Sequence, residues 1–82
     1  MDSANRIKAA AITCGFENVD CCAYINSMEK MTIEIKFKTI KTKLDLSSLS
    51  IQIGIITDRK FELPLIERSE EITTITYREK AD

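Results

Sequence analysis

Residues 32–77 carry a dense load of β-branched side chains, with ten isoleucines and seven threonines in 46 positions. Such side chains lose rotamer freedom in a helix and pack well on the pleated surface of a sheet. The whole chain has 82 residues, of which 44% are apolar, which fits one small globular domain over residues 1–82. We therefore predict that most of this domain is a β-sheet.

The N-terminal segment has the signals of a helix, which we predict over residues 4–14. Ser3 is a favourable N-cap, three consecutive alanines follow, and Gly15 stands where a left-handed residue would end the helix. Phe16 is expected to pack back on the last helical turn. A stripe of apolar residues at helical spacing is expected to face the sheet: Ile7, Ala10, Ala11 and Cys14.

Alternating apolar and polar residues predict strands at 32–46, 49–55, 61–65 and 72–79. The first strand is long and bent, and a single-residue bulge near Lys38 and Thr39 would reconcile its two halves. Pro64 places the 61–65 strand at an edge or beside a bulge, because proline cannot donate to a ladder. The inner face of the sheet is expected to carry Ile33, Ile35, Phe37, Ile51, Ile53, Ile55 and Tyr77.

Residues 18–29 fit two structures. Val19, Cys21, Ala23 and Ile25 alternate as in a strand, which we favour, whereas other apolar residues of the same segment fit one face of a helix. The predicted fold is therefore α+β, with one N-terminal helix packed on an antiparallel four- or five-stranded meander sheet. On the rival reading, two helices precede a four-stranded sheet.

The composition argues against most enzyme classes. The chain has no histidine, which is the commonest acid or base and the commonest zinc ligand, and two glycines are too few for a phosphate-binding loop. Cys14, Cys21 and Cys22 lack the spacing of a metal site, and we interpret them as structural side chains. We therefore expect no catalytic residues, no cofactor and no metal.

A row of lysines is the most organised polar feature. Residues 30–43 hold five lysines and one glutamate, although the net charge of the chain is −1. The strand pattern and its bulge would turn four lysines to one solvent-facing side: Lys36, Lys38, Lys41 and Lys43. They would keep that face soluble, bind an acidic protein or follow a phosphate backbone. Phe37, the only aromatic residue in the row, points inward, which disfavours nucleic acid.

A second candidate surface is apolar. Three isoleucines fall on the strand face opposite to the predicted core residues: Ile56, Ile66 and Ile72. Together they could form one exposed patch. Such a patch predicts contact with a partner. We expect a homodimer formed face to face through these isoleucines, because a small domain cannot bury all its apolar surface alone.

Together these features predict a non-enzymatic protein-interaction module, such as an inhibitor, an adaptor or a small assembly subunit, which acts through a sheet face or edge. The alternative is a nucleic-acid-binding domain that uses the lysine-rich strand. We expect another protein as partner, no membrane association and a location in the reducing cytoplasm. Small domains of this kind that resemble no known family are often encoded by phages or mobile elements, so such an origin is expected here.

Overall fold

A computed structural model describes residues 2–42 and 45–81. It contains two helices and four strands in the order α1 (Ser3–Thr13), β1 (Asp20–Ile25), β2 (Met31–Lys38), α2 (Ser47–Thr57), β3 (Leu65–Arg68) and β4 (Ile72–Arg78). The strands form one antiparallel sheet with the order β1-β2-β4-β3. The predicted α+β class, the N-terminal helix and the four-stranded antiparallel sheet are confirmed.

The strand order divides the chain into two α-β-β halves. The predicted meander is wrong, because β2 pairs with β4 and not with β3, so that Ile35 lies opposite Ile75. Each half therefore supplies one helix, one edge strand and one central strand. The two central strands join the halves.

The ends of α1 follow local capping rules. The Asp2 carboxylate, not Ser3, caps the first turn by accepting from the Asn5 N–H at 2.9 Å. Gly15 has φ +101°, and Phe16 N–H donates to Ala11 O at 3.1 Å, which makes a Schellman motif and returns Phe16 to the core. The prediction that Cys14 faces the sheet is wrong, because this residue is the exposed C-cap.

The segment 18–29 is a strand and a turn, as we favoured. β1 ends at Ile25, and the Asn26 side chain accepts from the N–H groups of Met28 and Lys30 at 2.9 and 3.0 Å. Glu29 takes a left-handed conformation with φ +62°. This turn reverses the chain into β2.

The core lies between the two helices and one face of the sheet. β2 and β4 alternate as predicted, with Ile33, Ile35, Phe37 and Tyr77 buried. The buried apolar residues form one cluster: Ile7, Ala11, Phe16, Val19, Met31, Ile33, Ile35, Phe37, Leu49, Ile53, Ile75 and Tyr77. Both halves of the chain contribute to it, so the core is shared between them.

The predicted strand at 49–55 is wrong, because this segment is the helix α2. Leu49 and Ile53 are buried one turn apart, whereas Ile51 and Ile55 are 62% and 67% exposed. Of the three isoleucines in this segment that were assigned to the inner face, only Ile53 is therefore in the core. Asp58 ends the helix in a left-handed conformation with φ +53°.

Two strand boundaries also differ from prediction. β2 ends at Lys38, so the long bent strand and its bulge are wrong, and residues 41–42 form a bend. Phe61 makes only an isolated bridge to Glu79, and the edge strand β3 begins after Pro64. Proline thus lies just before the edge strand, where its missing N–H costs no ladder hydrogen bond.

Candidate protein-interaction site

The sheet has one face under the helices and one open face. Residues of β2 and β4 that alternate with the core side chains are exposed or half-buried. The register places these open-face residues side by side: Asp20, Cys22, Tyr24, Thr32, Glu34, Lys36, Lys38, Leu65, Glu67, Ile72, Thr74, Thr76 and Arg78. The face carries both signs of charge and several threonines.

Two of the predicted lysines have fixed neighbours on this face. Lys36 lies between Asp20 of β1 and Thr74 of β4, and Lys38 lies opposite Ile72. The Lys36 ammonium is 3.6 Å from the Glu34 carboxylate, but more than a third of each side chain is exposed. Water screens such a pair, so it contributes little to stability.

A groove of about 610 Å³ lies at one end of the open face. It is lined by Asn18, Asp20, Lys36, Phe37, Lys38, Thr39, Lys41, Glu70, Glu71 and Ile72. We call it the lysine groove. It brings together Lys36, Lys38, Lys41 and Ile72 of the predicted binding residues, although Lys41 reaches it from the bend after β2 and not from a strand. Lys43 lies outside the described residues.

Hydrogen bonds hold the walls of the lysine groove together. Thr39 N–H donates to Glu71 O at 2.9 Å, and the Thr39 hydroxyl donates to Ser69 O at 2.8 Å. The same hydroxyl lies 2.9 Å from that of buried Thr73. The Arg68 guanidinium donates to Ile40 O. The chain after β2 is thus tied to the β3-β4 turn, so that Glu70 and Glu71 line the same groove as the lysines.

The three isoleucines of the predicted patch do not lie together. Ile56 belongs to α2 and is half-buried against the core. Ile66 of β3 pairs with Ile75 and so points to the helix side of the sheet, whereas Ile72 is on the open face. The predicted contiguous patch is wrong because α2 replaces a strand. Whether each isoleucine contacts a partner stays a prediction.

The cysteines are free thiols. Cys21 is half-buried beneath α1, and burial raises the pKa of its thiol to about 11. This thiol is therefore protonated at neutral pH and packs as a small apolar side chain. Within residues 2–42 and 45–81, no group of three or more cysteine or carboxylate side chains is placed to hold a metal ion.

Glu79 forms a cluster that the sequence did not indicate. Its carboxylate accepts from Met31 N–H at 2.9 Å and from the Arg59 guanidinium at 2.6 Å. Arg59 also donates to Glu29 O at 3.1 Å, and the Lys30 ammonium is 4.0 Å from Glu79. The cluster ties the segment after α2 to the β1-β2 turn. No local sequence pattern connects these residues, because 48 positions separate Met31 from Glu79.

Comparison with protein-family models, with curated proteins and with solved structures gives no match. Neither helix of the described residues is long and apolar enough to cross a membrane.

Proposed function

We propose that this chain is a non-enzymatic protein-interaction module that binds another protein through the lysine groove. The observation that carries this proposal is the meeting of Lys36, Lys38 and Lys41 with Ile72 in one groove on the uncovered side of the sheet. An apolar side chain among cations suits a partner segment that has an apolar anchor between acidic side chains.

The charges around the groove favour a protein over nucleic acid. Asp20, Glu70 and Glu71 line the same groove as the lysines, so a phosphate backbone that follows the cations would also meet carboxylates. Binding of single-stranded nucleic acid usually uses exposed aromatic rings for stacking, and Phe37, the aromatic residue that lines the groove, is buried. A protein surface can place its own cations against these carboxylates.

The proposed location is the reducing cytoplasm. Three cysteines without a disulfide support this proposal. The proposed function requires no cofactor. It depends only on the shape and charge of the sheet face, as expected of an inhibitor, an adaptor or an assembly subunit.

Affinity capture from the source cells tests the proposal. The groove variant carries Lys36→Ser, Lys38→Ser and Lys41→Ser, and the matched control carries Lys8→Ser, Lys60→Ser and Lys80→Ser. All six lysines are exposed, and each triple removes the same charge. We expect mass spectrometry to identify proteins that the wild type and the control retain and the groove variant loses. Identical capture by all three chains would contradict the proposal.

A gel shift tests the nucleic-acid alternative on the same three chains. We expect no tight shift for the wild type, because carboxylates share the groove. Submicromolar binding at physiological salt that the groove variant abolishes would instead favour nucleic acid, and its affinity would fall steeply with added salt.

A further inference from the structure

The helix α2 has no charged residue. From Leu46 to Thr57 the sequence contains only apolar, serine, glutamine, glycine and threonine residues. A helix on the surface of a globular protein normally carries charged side chains on its outer face, and a helix that is apolar all round is normally buried. The outer face of α2 thus mixes apolar and uncharged polar side chains and lacks the charges that a solvated helix normally carries.

The outer face of α2 is nevertheless uncovered in the single chain. Ile51 and Ile55 are 62% and 67% exposed and lie one turn apart. Exposed Ser48 and Gln52 form a second row at the same spacing. Residues at i and i+4 form the ridges through which two helices pack, so this face has the geometry of a helix contact.

The equivalent helix in the other half differs. α1 has the same length as α2 and occupies the same place in its α-β-β half, but its exposed residues include Asn5, Arg6 and Lys8. One exposed isoleucine, Ile12, lies on α1. The uncharged outer face is therefore a property of α2 and not of the helical layer as a whole.

The accessible surface of the chain is larger than its mass requires. It measures 5817 Å², whereas a folded monomer of 9.3 kDa exposes about 5000 Å². The excess of roughly 800 Å² matches the area that one partner buries in an interface of standard size. The chain thus exposes enough surface for a contact of that size with a second copy.

We propose that the outer face of α2 is the contact between two copies of this chain, with α2 packed on the α2 of the second copy across a two-fold axis. A two-fold contact brings the same patch from both copies together. Because this face is uncharged, no like-charge repulsion opposes its meeting with itself. The lysine groove lies on the opposite side of the sheet, so the dimer leaves both grooves open, and the inference does not depend on the proposed function.

Sedimentation of two matched isoleucine substitutions tests the inference. Ile55→Glu places a charge on α2, and Ile12→Glu places the same charge at a similarly exposed position of α1. Glutamate is a good helix former, so both helices should persist. We expect the wild type and Ile12→Glu to be dimers at tens of micromolar. We expect Ile55→Glu to raise the dissociation constant at least about tenfold, since two like charges then face each other.

Circular dichroism spectra of all three chains control for folding. If Ile55→Glu is unfolded, Ile51→Ser and Ile55→Ser replace it, because they remove apolar contact without adding charge. A wild type that is monomeric at tens of micromolar would overturn the inference and leave α2 to a different partner. A dimer dissociation constant that the α2 variant leaves unchanged would also overturn the inference. So would a dissociation constant that Ile12→Glu raises as much as the α2 variant does.

Discussion

Glu79 is a single residue whose contacts join distant parts of the chain. Its carboxylate accepts hydrogen bonds from the Met31 N–H of β2 and from the guanidinium of Arg59. It therefore connects the start of β2 to the segment after α2. Hydrogen bonds to a carboxylate favour its ionised form. The Met31 N–H, followed by Arg59, accordingly lowers the pKa of Glu79 below its ordinary value.

This shift predicts a pH dependence of stability. A carboxylate with a lowered pKa in the folded state stabilises that state above its ordinary pKa, and the effect is lost as pH falls through the lowered pKa. Glu79→Gln keeps an acceptor oxygen but has no charge. We expect the wild type to be more stable than Glu79→Gln at neutral pH, and the difference to shrink on acidification. Urea unfolding at a series of pH values measures it, and a difference that is constant with pH would contradict the prediction.

The lysine groove shows what residue patterns can predict. Lys36 and Lys38 alternate with Ile35 and Phe37, so their shared face follows from the two-residue period of a strand. The approach of Glu70 and Glu71 depends instead on the β2-β4 register and on the bonds of Thr39. These are long-range choices that no local pattern determines.

The two helices also differ in how far local sequence patterns predict them. α1 has a polar face, alanines and capping residues at both ends, so its helical structure can be predicted from the sequence. In α2, apolar residues at 49, 51, 53 and 55 satisfy the period of a strand, and no charge marks the outer face of the helix. The buried pair Leu49 and Ile53 shows that tertiary packing overrides the β preference of isoleucine.

Gly54 provides a direct test of the helical state of this segment. A Cβ at this position would lie 3.8 Å from Arg59 O, which is an ordinary van der Waals contact. We therefore expect Gly54→Ala to stabilise the chain by about 0.5 to 1 kcal/mol, because alanine is the better helix former. Urea unfolding measures the gain. A loss of stability would contradict the helix.

Gly15→Ala is the matched control, since the same change is made where the backbone requires glycine. Gly15 has φ +101°, and a Cβ there would have no heavy atom within 4 Å, so conformation alone decides the effect. We expect a loss of roughly 1 to 2 kcal/mol from the left-handed conformation. Opposite signs for the two glycines would show that the method resolves backbone effects.

The pairing of β2 with β4 joins the two halves of the chain into one sheet. Seven residue pairs from Thr32–Arg78 to Lys38–Ile72 connect β2 to β4. The buried faces of these strands lie in one cluster with Ile7 and Ala11 of the first half and with Leu49 and Ile53 of the second. Neither half can bury the inner face of its central strand without the other.

This division predicts the behaviour of a chain cut between the halves. Fragments 1–42 and 43–82 each have about 40 residues, a length at which an isolated core is usually insufficient. We expect each fragment alone to lack the circular dichroism spectrum of the intact chain, and an equimolar mixture to recover it as β2 and β4 pair. Ile35→Asp in the first fragment places a charge opposite Ile75 and should prevent recovery, whereas Lys36→Ser on the exposed side should permit it. A fragment that shows the intact spectrum by itself would contradict the shared core.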